Sequence, residues 1–215
     1  MDATEIGRHL ARRHAEAAAD SPIAVDEIRS LLNYAEAPHT DDWTMRSALV
    51  RLAQRDPARV GALLQVSRRL DAPLHHVART LQANPALCDD ALASAAWDTD
   101  RADDLGDAPV APYPDVRIAD LARAVAAGLD AESVLAGYQA SLPLEREEAR
   151  AVPLLVEAAR FDRLARDLAT WASSDLSDPP LDLVDRVTAT VAARLDELGI
   201  PEETGPPPRG ARSRG

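Results

Sequence analysis

The stretch Pro143–Ser173, PLEREEARAVPLLVEAARFDRLARDLATWAS, decides the fold. Leu154, Leu155, Ala158, Phe161, Leu164 and Leu168 recur in it at steps of three and four. That period places side chains on one face of a helix. Glu145, Glu147 and Glu148 stand at its head, where the positive end of a helix favours acids. Pro153 falls inside the pattern and predicts a kink or a break, because it has no N–H and its ring crowds the preceding turn. Just upstream, Tyr138, Leu142 and Leu144 read as an apolar structural joint, with Tyr138 packed between this helix and the one that ends near it.

The same period covers nearly every other segment. Residues 3–19 carry a weak stripe of Ile6, Leu10 and Ala17. Val25, Ile28, Leu31 and Leu32 share one face of the next segment, and Thr40 is a candidate N-cap for the one after it. Asp56-Pro57 and Asn84-Pro85 read as an N-cap with proline at the first helical position, and Asp71-Ala72-Pro73 as a looser version of that start. Further on, Gly128 reads as a C-terminal stop, Asp130 as an N-cap, and 181–198 as a last helix ending at Gly199. No segment alternates in the β manner. The expected fold is all-α, an irregular bundle of short helices with one long kinked helix. It divides into a helical half at 1–97, an Asp/Pro-rich loop at 98–116, a second helical half at 117–199 and a disordered tail at 200–215, together one domain. The roughly regular spacing of the short helices also admits a helical-repeat adaptor.

Composition narrows the partners. The net charge is -12, which repels nucleic acid and anionic membranes and favours a basic protein partner. All the basic residues among the 24 Lys and Arg are arginine. The one cysteine, Cys88, allows no internal disulfide, sits in a helical pattern as a small core residue and fits a reducing compartment. The first residues lack the apolar core of a signal peptide, and no long apolar run could span a bilayer. These features give a cytoplasmic expectation.

Sites for chemistry are sparse. Asp98, Asp100, Asp103, Asp104 and Asp107 crowd one loop, and oxygen ligands so placed suit Mg²⁺ or Ca²⁺. Asp98, Asp100 and Asp103 are the metal candidates, against the plainer reading of a solvated acidic loop. The loop does not follow the EF-hand pattern, since Ala102, Asp103 and Pro109 stand where that motif needs an acid or amide, Gly and Glu. His9, His14, His39, His75 and His76 have no zinc spacing and read as surface or cap residues. Trp43, Trp97 and Trp171 read as packing residues. There is no phosphate-binding glycine loop and no lysine to reach a phosphate.

Residues 96–172 resemble the C-terminal helical region of the aminoglycoside phosphotransferase and choline kinase-like family. The resemblance rests on AAWDTDRADDLGD, on IADLARAVA with Asp120, Leu121 and Ala122, on Gly137-Tyr138, and on the acidic start LPLEREEARAVPLL. It implies a kinase C-lobe-like arrangement that uses Mg²⁺ and nucleotide. The catalytic positions depart from the family's pattern: Ala96 stands where its metal-binding Asp precedes the Trp, and Ala78 stands two residues past His76, where its catalytic loop has Asp. Phosphoryl transfer depends on placing metal and charge, so no catalytic or cofactor-binding residue is assigned. The expectation is a non-catalytic helical protein acting through protein contacts. The alternative is a phosphotransferase-related protein that binds a small molecule or nucleotide with Mg²⁺. Partner identity and oligomeric state are left open by the sequence.

Overall fold

The computed structural model describes residues 2–16, 40–82, 93–95, 112–114, 117–174 and 178–202. The chain is all-α. Among the described residues seven helices form: α1 (Ala3–Glu16), α2 (Thr40–Ala53), α3 (Pro57–Gln82), α4 (Arg117–Ala126), α5 (Ala131–Gln139), α6 (Arg146–Ser173) and α7 (Leu181–Glu197). A short antiparallel ribbon joins β1 (Ala93–Ala95) to β2 (Pro112–Pro114), with Ser94 opposite Tyr113. This pairing corrects the expectation of loop throughout 98–116.

The long helix α6 is the axis. Between Ala151 and Ala158 every position but Pro153 is buried, the pattern of a helix surrounded by others. Helices α2, α3, α4 and α7 all pack against it, and their buried side chains join one continuous core. Pro153 neither breaks nor ends this helix, which runs unbroken through it. The N–H that Pro153 lacks would have met the Ala149 carbonyl. Both residues are exposed, so water can serve that oxygen. Glu145 precedes the helix as its N-cap rather than lying in its first turn, and its backbone N–H donates to Glu148 Oε2 at 2.8 Å.

A second proline was misleading. Pro73 does not start a new helix; α3 is continuous for 26 residues across it. Val60, Leu63, Val66, Leu70 and Leu74 are all buried, and that stripe stays in phase only if the helix continues. Thr40 is the first residue of α2 rather than its N-cap, and Asn84-Pro85 lies outside the described residues; the signals at Asp56, Gly128 and Asp130 match the sequence reading. Asp56 Oδ1 accepts from the Arg59 backbone N–H at 3.1 Å, ahead of Pro57. Asp130 Oδ2 accepts from the Ser133 N–H at 2.8 Å. Gly128, with φ of 106°, reverses the chain after α4, and the Leu129 and Gly128 N–H groups close back on Ala124 and Val125, which satisfies carbonyls left open at a helix end.

Polar ties hold the helix ends. The guanidinium of Arg69, buried on α3, donates from Nη2 to the Ile200 carbonyl at 2.6 Å and to Asp196 Oδ1. It thereby fixes the end of α7. At the far end of α6, Arg51 lies 4.8 Å over the buried Trp171 ring and donates to the Ala172 carbonyl at 3.1 Å.

Glu157 is a buried polar group whose partial satisfaction costs stability. It is buried and pairs with Arg160 through Oε1, while its Oε2 has no hydrogen-bond partner. Burial pushes its carboxyl above the ordinary glutamate value, against the opposing pull of Arg160. An acid raised on folding binds its proton more tightly when folded. Ionisation therefore removes stability as pH climbs from the unfolded value through the folded one. Glu157→Gln carries no such ionisation, so its melting temperature relative to the native chain should rise as pH climbs above the ordinary glutamate range. A difference that stays flat over that climb would show that the carboxyl is solvated.

Candidate functional site

Helix α1 presents Ile6, Gly7, Leu10, Ala11 and His14 on one buried face. This face lies along α5, and the two backbones nearly touch. A Cβ built on Gly7 would come within 2.1 Å of the Val134 carbonyl oxygen, and one built on Gly137 within 2.1 Å of the Thr4 oxygen. Only glycine permits such an approach.

The contact leads His14 into a polar chain. Its Nδ1 is 2.9 Å from Tyr138 Oη on α5, and its Nε2 is 3.1 Å from Asp120 Oδ2 on α4. The His14 and Tyr138 rings meet edge-on at 70°. Arg123 Nη1 donates to Asp120 Oδ1 at 3.0 Å. A carboxylate only accepts, so Nε2 carries a proton; in neutral His14, Nδ1 then accepts from the Tyr138 hydroxyl. The order carboxylate, imidazole, hydroxyl is that of a base held by an orienting acid. Its exposure decides what it can do: His14 is 2 %, Asp120 1 % and Tyr138 0 % exposed. No substrate atom can reach the hydroxyl or the ring. The constellation ties α1, α4 and α5 together and holds its own charges in hydrogen bonds, as buried polar groups must be held. His14 is thus neither a surface nor a cap residue, a correction to the sequence reading.

Tyr138, Leu142 and Leu144 lie around the α5–α6 connection. Tyr138 is fully buried, and the two leucines pack half-buried on the core. The tyrosine hydroxyl reaches α1, a contact that sequence spacing did not suggest. His75 and His76 are exposed on α3, with the His75 Nδ1–H on the Asp71 carbonyl at 3.0 Å. Asp98, Asp100, Asp103, Asp104 and Asp107 lie outside the described residues, as do His39, Cys88, Ala96, Trp97 and the segment 25–32. Among the described residues no group of three or more His, Cys, Asp or Glu side chains could hold a metal ion. No helix there is long and apolar enough to cross a membrane.

Among the described residues, a cleft of about 590 Å³ opens where the end of α4 meets α6 and α7. Leu183 and Val187 contribute apolar wall, and Arg160, Arg163, Arg186 and Asp167 the charges. A shallower hollow of about 370 Å³ on α2 is lined by Arg46, Val50 and Gln54. Val50 there is 54 % exposed.

No protein-family model, no curated protein and no solved structure matches the chain.

Proposed function

We propose that the protein is a non-catalytic helical module that acts through contacts with a basic protein partner. The burial of His14, Asp120 and Tyr138 carries this reading: the side chains best arranged for acid–base work hold helices together where nothing can react with them. The net charge of -12 would draw a basic partner. Leu198, exposed at the end of α7 beside the exposed carboxylates of Asp196 and Glu197, offers an apolar anchor for it. A crosslinking pull-down with the native chain and with Leu198→Ser tests the reading. A defined basic protein held by the native chain should be lost from the variant. Capture unaffected by the variant, or none at all, would overturn it.

A second reading keeps the phosphotransferase resemblance. Asp120, Leu121 and Ala122 lie in α4, Gly137-Tyr138 near the end of α5, and the acids at the start of α6, in the order that resemblance implies. Even so, the chain should not turn over the γ-phosphate of ATP in the presence of Mg²⁺ above background. Turnover abolished by Asp98→Asn or Asp100→Asn would displace the first reading.

A further inference from the structure

We infer that the cleft between α4, α6 and α7 binds a small amphiphilic oxyanion, a molecule with a carboxylate or phosphate head on an apolar body. Arg160 and Arg163 stand one turn apart on α6 and face Arg186 on α7. Guanidinium groups therefore approach the same space from two walls. Each is planar and carries five N–H donors in a fork that fits two oxygens of one head group. Arg160 gives Nη1 to Glu157 and retains other donors.

Charge favours an anion here although the whole chain is acidic. Three arginines line the cleft against two acids, Asp167 and the Glu157 that Arg160 binds, a small local excess of positive charge. Acids elsewhere on the surface are screened beyond about 8 Å at physiological ionic strength, so the near guanidinium groups dominate the local field. The half-buried apolar part of the wall, Leu183 and Val187 on α7 with Ala126 at the end of α4, gives a ligand body somewhere to lie. The volume of about 590 Å³ falls in the usual range for small-molecule sites, roughly 300–1,000 Å³. Asp167 stands one turn beyond Arg163 on α6 and repels a second anionic group at that end. The fit is therefore to one head group and one apolar body.

Calorimetric titration of the full chain with phenyl phosphate, benzoate and inorganic phosphate tests this. At least one of the two amphiphilic probes should bind, and more tightly than inorganic phosphate; which one binds identifies the head group. Arg186→Ala and Arg163→Ala should each weaken that probe by about tenfold or more, as expected for loss of a charge-assisted fork. Thr190→Trp, which fills the cleft, should weaken it with all three arginines present. Arg12→Ala, on exposed α1 surface, should leave it unchanged, and each variant is first checked for a native melting transition. Failure of both probes to bind by about 10 mM would overturn the inference. So would equal weakening in the Arg12 variant, or a glutamate-rich peptide that binds the cleft when the small probes do not.

Discussion

Gly137→Ala should detach α1 from the body of the protein. The added Cβ would lie 2.1 Å from the Thr4 carbonyl oxygen and 2.9 Å from its carbon. Both are backbone atoms inside a helix, so no side-chain rotation relieves the clash. Overpacking in a core usually costs about 1–3 kcal/mol. Here the helices must separate, which also exposes Ile6 and Leu10 at about 1.5–3 kcal/mol for each fully buried side chain. A loss on the order of 3 kcal/mol or more is expected in urea denaturation, with faster tryptic cleavage at Arg8 and Arg12. Gly61→Ala is the matched control, because a Cβ there meets nothing within 4 Å. It should stabilise α3 by about 0.5–1 kcal/mol, the helical cost of glycine relative to alanine. An unchanged denaturation midpoint for Gly137→Ala would mean that α1 does not lie on α5.

Asp120→Ala should be comparably severe. It leaves the buried His14 Nε2–H without its acceptor and removes the carboxylate that Arg123 binds. Leaving a buried donor unsatisfied costs about 1–3 kcal/mol, and the loss of the hydrogen bond from charged Arg123 adds about 1.5–3 kcal/mol. Asp120→Asn keeps an acceptor oxygen and should lose less. A cycle with His14→Ala separates the pair from its surroundings: the double variant should be less destabilised than the sum of the singles by about 1–3 kcal/mol. Strict additivity would show that His14 and Asp120 do not interact.

The sequence shows its helices because burial in them is periodic. The spacing from Leu154 to Leu168 and the caps at Asp56 and Asp130 are local signals, and the structure forms all of them. The proline at Pro73 misled because a start signal weighs only a few residues, while the stripe from Val60 to Leu74 spans several turns and fixes the phase. The buried polar chain was legible only in part. His14 continues the stripe Ile6, Leu10 at a step of four, so a histidine on an apolar face was visible. Its partners are 106 and 124 residues away, and nothing in a single sequence pairs residues at that range. The arginines of the cleft were hidden for the same reason, since those on α6 and α7 look like ordinary solvated charges until the helices are set side by side.

Because α1 precedes its mates on α4 and α5 by 106 and 124 residues, it has a waiting time during synthesis. At about 5–20 residues per second, Tyr138 is added roughly 6–25 s after His14. Through that interval the apolar side of the first helix has no finished seat, and contacts this distant along the chain form slowly even after release. The nascent segment is then a natural substrate for a holding chaperone, and codons that slow translation between α1 and α5 should lengthen its exposure and lower the soluble yield.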